Sequence, residues 1–185
     1  MLVVFAHSNT GSTVATLHRG DGVVLQLPGY DRKYRVPHDL AHFVTERALE
    51  MSGGVFGSIA AGAVFSNMRV VSGRPRHDAA ARSKLILDGC KQSLGLAELL
   101  AGMVHHAVET GIPEQAPVLV RKAWGSLQAG EMPWPDEVVA GAATALSGLV
   151  TDFEAQGSVK VTWPEHLVAA VPPARGVRRG RRGRT

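Results

Sequence analysis

The side chains best suited to chemistry lie in one short segment, which contains His38, Asp39, His42 and Glu46. If this segment is helical, His38, His42 and Glu46 follow one another at four-residue spacing and form a stripe along one face. With a rise of about 1.5 Å per residue, the two histidines lie about 6 Å apart along the axis, whereas His38 and Glu46 lie about 12 Å apart. His38 and His42 are therefore the predicted pair of ligands for one metal ion.

Asp39 and Glu46 are the candidate catalytic residues of the same segment. Glu46 could orient His42 through a hydrogen bond, bind a second ion or act on substrate, and Asp39 could carry protons. The N-terminus of a helix disfavours an imidazolium at His38 and favours the neutral ring that a metal requires. The alternative is that Asp39 satisfies free backbone N–H groups and that both histidines make ordinary hydrogen bonds.

The remaining ligands must come from elsewhere, and a long helical pattern that ends near Glu109 offers several. His105 and Glu109 are four residues apart, and Glu98 and His106 belong to a second row with four-residue spacing. One of His105, His106 and Glu109 is predicted to complete a site of nitrogen and oxygen donors, which suits zinc, iron or manganese. The alternative is that the two adjacent histidines lie there because imidazolium suits the negative end of a helix.

The residues His38-Asp39-Leu40-Ala41-His42 resemble the HDxxH motif of the coenzyme Q biosynthesis protein family, which is thought to bind a divalent metal. The longer phrase PHDLAHFVTE resembles a motif in small uncharacterised bacterial proteins. In the coenzyme Q family a glutamate completes the motif, and the corresponding position in this chain is Gly54. The motif is also similar to the HExxH of zinc peptidases, with Asp39 in place of Glu. The shorter side chain would hold a catalytic base farther from a metal-bound water.

Short strands are predicted at both ends of the chain. Three runs rich in β-branched residues are separated by turn residues: Leu2–Ala6, Thr13–Leu17 and Val23–Leu27. Gly20-Asp21-Gly22 joins the last two as a hairpin. The alternating stretch Ser158–Trp163 predicts a half-buried strand that could return to the N-terminal sheet.

Helical patterns occupy the middle of the chain. Pro37 fits the first position of the histidine helix, and Gly53-Gly54 provides its predicted end. Four further helices are predicted, at residues 54–65, 77–109, about 114–129 and 135–156. The third pattern contains Gly89 and Gly95, where a break is possible. The expected fold class is α+β, with a small antiparallel sheet of N-terminal strands plus a C-terminal strand packed with a helical bundle.

The composition indicates one globular domain over residues 1–171 and a disordered, Arg-rich tail over residues 172–185. The net charge is +4, but six arginines lie in the tail: Arg175, Arg178, Arg179, Arg181, Arg182 and Arg184. The rest of the chain therefore has a net charge near −2 and is not a basic platform for nucleic acid. The tail itself could contact RNA, DNA or another anionic surface weakly.

Cys90 is the single cysteine, so an intrachain disulfide and a thiolate cluster for zinc are excluded. The N-terminal apolar run is too short for a secretory signal, and glycine and serine dilute the uncharged stretch 51–68. We therefore expect a cytoplasmic protein without a membrane span. Arg74 and Arg76 lie in a predicted loop and could meet an anionic substrate, although surface exposure explains them equally well.

The chain has no Gly-x-Ser-x-Gly elbow and no cysteine-based catalytic signature. The leading hypothesis is a small metal-dependent enzyme, of hydrolase or lyase type, acting on a small-molecule substrate at a site centred on His38 and His42. One alternative is a non-catalytic helical accessory protein with a structural His/Asp/Glu network. Another is an RNA-associated protein that uses its basic tail. The enzyme hypothesis requires the face of His38 and His42 to point into a cavity and meet another polar cluster, whereas the accessory hypothesis has that face paired and sealed.

Overall fold

The computed structural model describes residues 1–8, 11–29 and 34–171. Within these ranges the strands are β1 (Leu2–His7), β2 (Thr13–His18), β3 (Val24–Pro28), β4 (Arg69–Ser72) and β5 (Ser158–Thr162). The α-helices of the same ranges are α1 (His38–Ala48), α2 (Val55–Ala61), α3 (Ala79–Glu109), α4 (Ala116–Ser126) and α5 (Asp136–Gln156). Short 3-10 turns precede α4 at Pro113–Gln115 and follow β5 at Glu165–Leu167.

The strands form one antiparallel sheet in the order β4-β3-β2-β1-β5. Phe5 at the centre of β1 faces Ala15 of β2 on one side and Val159 of β5 on the other. All three residues are buried, because alternate side chains of each strand point to the same face. The predicted hairpin and the return of the C-terminal strand to the N-terminal sheet are confirmed, as is the α+β fold class.

Helix α1 packs in the middle of the molecule, where it contacts α2, α3 and α5. The ring of Phe43 contacts three other buried aromatic rings at centroid distances of 5.1 to 6.0 Å: Phe5, Phe56 and Trp163. Every residue of α1 from Leu40 to Glu46 is buried. A helix enclosed to this extent also encloses its polar residues, so His42 and Glu46 need polar partners inside the protein.

Helix α1 ends at Ala48, earlier than the predicted end at Gly53-Gly54. The chain reverses immediately afterwards, where Glu50 has a φ of +53° and the Met51 N–H donates to the carbonyl of Glu46. Gly54 instead occupies the position before the first residue of α2, and it lies against the side chain of Glu46. The second helix is also shorter than the predicted 54–65, because Gly62 ends it with a φ of +119°.

Strand β4 was not predicted. All four of its residues are exposed, and it forms the edge of the sheet beside β3 with a register irregularity at Val24/Leu25. A strand without a buried face has no alternation of polar and apolar residues, and this alternation is the signal on which strand prediction depends.

Helix α3 has 31 residues without a break, so Gly89 and Gly95 do not interrupt it. Its length is about 46 Å, and it contacts α1, α2, α4 and α5. Within the described residues, α5 is the one helix with the length and apolar composition to cross a membrane, and 33% of that stretch is buried. Its residues Val139, Leu146 and Phe153 belong to the core, and core helices of this length meet the same criterion.

The predicted tail over residues 172–185 lies outside the described residues. Its disorder, and the domain boundary placed before it, therefore stay predictions. The cytoplasmic location is likewise a prediction from composition.

Candidate metal centre

Helices α1 and α3 bring two histidines and a carboxylate together. His38 and His42 lie one turn apart on α1, with ring centroids separated by 4.8 Å. Glu98, in the second half of α3, reaches both rings: Oε1 lies 3.3 Å from His38 Nε2, and Oε2 lies 3.1 Å from His42 Nε2. His38 and His42 thus lie on one face of α1, as predicted, and this face contacts Glu98 of α3.

Glu46 holds the opposite side of the His42 ring. The Glu46 side chain is fully buried, and its Oε1 lies 2.9 Å from His42 Nδ1. The same carboxylate accepts backbone N–H bonds from Val55 and Phe56, both at 3.0 Å, at the start of α2. An ionised carboxylate only accepts hydrogen bonds, so Nδ1 of His42 must carry the proton. The Nε2 atom of His42 is thereby directed towards Glu98.

Gly54 makes this arrangement possible. A Cβ atom at position 54 would lie well inside van der Waals contact with the carboxyl group of Glu46. The absence of a side chain lets the backbone at the start of α2 approach that carboxylate and supply its two N–H donors. This position therefore supports the site through its backbone and does not provide a ligand.

The charges in the cluster are strongly coupled. Burial alone would lower the pKa of His42, but the hydrogen bonds that its ring donates to Glu46 and Glu98, and the charges of these carboxylates, raise this pKa from 6.5 to about 9. Hydrogen bonds from His38 and His42 hold the pKa of Glu98 well below its usual range. Burial raises the pKa of Asp39, and the neighbouring charges of His42 and His38 oppose that change. Without a metal, His42 is therefore an imidazolium between two carboxylates.

The arrangement has the composition of a metal site. One potential ligand atom from each of His38, His42 and Glu98 lies within 4.8 Å of the others. Two imidazoles and a glutamate are a common ligand set of catalytic zinc, which keeps a fourth position for water or substrate. The side chains of His38 and Glu98 are 36% and 66% exposed, so the cluster is accessible from solvent. Glu46 fits the carboxylate that typically holds the second nitrogen of a metal-binding histidine.

The predicted ligands at the end of α3 have different surroundings. His105 is buried, and its Nε2–H donates to the carbonyl of Val36 at 2.9 Å, although its ring centroid is 5.4 Å from that of His38. Glu109 accepts the backbone N–H groups of Arg35 and Val36 at 3.2 and 2.8 Å. His106 is exposed. Among the described residues, these three are not part of the group with ligand geometry.

In the sequence Glu98 belongs to a row with four-residue spacing, but the predicted further ligand is one of His105, His106 and Glu109. That prediction rests on the two histidines and the glutamate that lie close together at the end of the helix. Glu98 precedes His105 by about two turns, or roughly 10 Å along the axis. The point at which α3 meets α1 depends on tertiary packing, and no local sequence signal specifies it.

No protein-family model matches this chain, and neither a curated protein nor a solved structure matches it significantly. The function must therefore be argued from the geometry of the site.

Proposed function

We propose that the protein is a small metal-dependent enzyme, of hydrolase or lyase type, whose divalent ion is bound by His38, His42 and Glu98. The observation that supports this proposal is the environment of His42. Its Nδ1–H is fixed by the enclosed Glu46, while its Nε2 faces the carboxylate that also contacts His38. A histidine oriented in this way is prepared to exchange the proton on Nε2 for a metal ion.

The ligand set favours zinc over the other candidate ions. Two nitrogen donors and one carboxylate suit zinc with a coordination position left for water, whereas manganese prefers more oxygen donors and iron remains compatible. A bound divalent ion would supply Lewis-acid polarisation of a substrate oxygen and a lowered pKa for its water. The exposed sides of His38 and Glu98 provide the direction from which a small molecule approaches.

The two other acids of the α1 segment have separate roles in this proposal. Asp39 is only partly buried and interacts electrostatically with His42 and His38. Its pKa is raised by burial. These properties suit a group that carries a proton to or from substrate. Glu46 is enclosed and its oxygens are occupied by His42 and two backbone N–H groups, so it acts as a positioning residue.

Metal content measured by plasma mass spectrometry tests the site. Untagged wild-type protein, purified as such and after reloading with zinc, iron or manganese, is compared with the folded double variant His38→Ala/His42→Ala. His106→Ala is the matched control, because it removes an exposed histidine outside the cluster. We expect near-stoichiometric metal in the wild type and in the control, and no bound metal in the double variant. No metal in any reloaded sample would refute the proposal.

Catalysis requires a second measurement. The metal-loaded protein and its Asp39→Asn variant are assayed on a panel of small hydrolysable esters, amides and phosphoesters and of lyase substrates. We expect turnover that chelation abolishes and that Asp39→Asn lowers by about 100-fold or more. If the metal-loaded protein turned over none of these substrates, the metal site would stand, but the assignment as a hydrolase or lyase would be wrong.

A non-catalytic accessory role is the second candidate, and one observation favours it. The chain of Glu46, His42 and Glu98 is already hydrogen-bonded from end to end without a metal, as a structural network would be. In that case the cluster joins α1 to α3 and needs no substrate. Absence of metal, together with a large loss of stability in His42→Ala, would support this candidate.

The RNA-associated alternative depends on the six arginines of the tail, which lie outside the described residues. Removal of residues 172–185 tests it directly: salt-sensitive RNA binding by the full chain and its loss in the truncated chain would support the hypothesis. Equal binding, or none, would contradict it.

A further inference from the structure

A groove lies between the β2–β3 hairpin, the end of α2 and the start of α3. It consists of two adjoining cavities of about 280 and 590 Å³, which share Arg19, Gly62 and Ala79 in their walls. The larger cavity has the volume of many small-molecule sites. On α3 it extends only to Asp88, about 15 Å along the axis from Glu98, so the groove is separate from the metal centre.

Arg19 is the unusual side chain in this groove. Its side chain is only 6% exposed, although it is an arginine at the end of a hairpin strand. Nε and Nη2 donate to the carboxylate of Asp21, but Nη1 is buried and has no hydrogen-bond partner in the described part of the chain. A buried guanidinium nitrogen without an acceptor is rare in folded proteins. Because Arg19 lines both cavities, a water or a ligand in the groove would supply the acceptor that Nη1 lacks.

The charges around the groove favour a single negative charge in that ligand. Among the described residues that line the groove, three of the four cations have carboxylate partners: Arg19 with Asp21, Arg76 with Asp78, and Lys84 with Asp88. The fourth, Arg82, donates to the carbonyl of Ala61 instead. Ala79 and Ala80, the first residues of α3, also line the larger cavity and add the partial positive charge of a helix N-terminus.

The larger cavity also has an apolar wall. Val23, Val64, Val70 and Leu87 line it, and Val70 leaves 43% of its surface exposed on the edge strand β4. We infer that the groove binds a small amphiphilic carboxylate, with its carboxylate at Arg19 Nη1 and its apolar body against this wall. The loop before α3, whose arginines are explained by surface exposure as well as by contact with an anion, contributes Arg76 to the same groove.

Calorimetric titration with octanoate tests the inference. The controls are 1-octanol, which lacks the carboxylate, and acetate, which lacks the apolar body. We expect one octanoate per chain, and binding of octanol and acetate at least about tenfold weaker. Binding should be unchanged by a metal chelator and in His38→Ala, because the groove is separate from the metal centre. Absence of octanoate binding at millimolar concentration, or equal binding of octanol, would overturn the inference.

Two variants locate the ligand. Arg19→Gln should weaken octanoate binding by about tenfold or more. Arg121→Gln is the control, because Arg121 is also paired with an aspartate, and it should leave octanoate binding unchanged. If Arg19→Gln does not fold, Leu87→Asn tests whether the ligand lies in the groove. This substitution on the apolar wall should weaken octanoate binding and leave the fold intact. Wild-type affinity in a folded Arg19→Gln or in Leu87→Asn would place the ligand elsewhere and contradict the inference.

Discussion

Helix α3 meets the start of α1 at two places with the same types of side chain, and the two places differ in their partners. In the first, Glu98 contacts the ring nitrogens of His38 and His42. In the second, at the end of α3, His105 donates to the Val36 carbonyl and Glu109 accepts the N–H groups of residues 35 and 36. The first set of contacts joins side chains, and the second joins side chains to backbone.

This difference separates a candidate reactive site from a structural contact. A ring nitrogen that donates to a backbone carbonyl is a poorer candidate ligand, because the neutral carbonyl brings no negative charge to balance a cation in place of the proton. A ring nitrogen that faces a carboxylate can exchange its proton for a cation, which the same carboxylate would also ligate. Histidine and glutamate at four-residue spacing are therefore insufficient to identify a ligand pair, and the partner of each nitrogen decides the role.

The largest expected effect is on stability and comes from the enclosed carboxylate. Glu46→Ala leaves His42 and two backbone N–H groups without their partner in the interior, and it should lower the free energy of unfolding by about 3–5 kcal/mol. Glu109→Ala, at the backbone-bonded contact, should cost about 1–3 kcal/mol because that side chain is only partly buried. Urea denaturation of the metal-free proteins measures both, and equal losses would contradict the ranking.

The two contacts between α3 and α1 should also differ in their effect on metal affinity. Glu98→Ala removes a proposed ligand and should weaken zinc binding by about 100-fold, while Glu109→Ala should leave it within about threefold. Because Glu98 is 66% exposed, its removal should change the stability of the metal-free protein by less than about 1 kcal/mol. Competition with a chromophoric zinc chelator gives the affinities. Loss of zinc binding in Glu109→Ala but not in Glu98→Ala would reverse the assignment.

The pH dependence of stability should change sign when metal binds. The pKa of His42 in the folded protein is about 9, above its ordinary 6.5, because Glu46 and Glu98 outweigh burial; His38 and Asp39 also face this ring. In the metal-free protein this stabilisation is complete below about pH 6.5 and is lost, on the order of 3 kcal/mol, as pH rises through 9. With zinc bound, the same rise in pH removes the competing proton and should increase stability.

Urea denaturation at several values between pH 6 and 9, with and without zinc, measures this change of sign. His42→Gln should flatten both profiles. A metal-free profile that rises with pH would show that the His42 ring is not charged between the two carboxylates.

The smallest expected effect concerns Gly54. In Gly54→Ala the new methyl group would displace the carboxyl group of Glu46, lowering stability by about 1–2 kcal/mol and zinc affinity by about tenfold. Gly95→Ala is the matched control, because that glycine lies inside α3 with open space around it and should gain up to about 1 kcal/mol. Equal effects of the two substitutions on thermal unfolding would show that Glu46 is not held closely by the backbone at position 54.

Local signals in the sequence predicted the elements but not their contacts. The hairpin at Gly20–Gly22, the alternation in β5 and the proline before α1 each act within a few residues. The structure has all three elements, although α1 ends at Ala48 and not at Gly53-Gly54. The pairing of His38 and His42 on one face also follows from helical geometry alone. Glu98 could not be selected, because the choice between positions two turns apart on α3 depends on how that helix packs on α1.

The same reasoning explains Gly54. At this position the resembled family has a glutamate that completes its motif. In this chain the carboxylate beside both histidines is Glu98, and Gly54 instead lets the backbone at the start of α2 approach Glu46, which positions His42. A contact of this kind joins the end of one helix to the start of the next through a side chain, and no periodicity in the sequence reports it.

The two backbone bonds to Glu46 have a consequence for hydrogen exchange. The amides of Val55 and Phe56 open α2, where a helix has no internal acceptor to offer, and amides in such positions ordinarily exchange quickly with deuterium. In this protein their protection depends on one buried carboxylate. These two amide protons are therefore reporters of the buried carboxylate: their exchange rates follow the opening of their own bonds to Glu46, the residue that also holds His42.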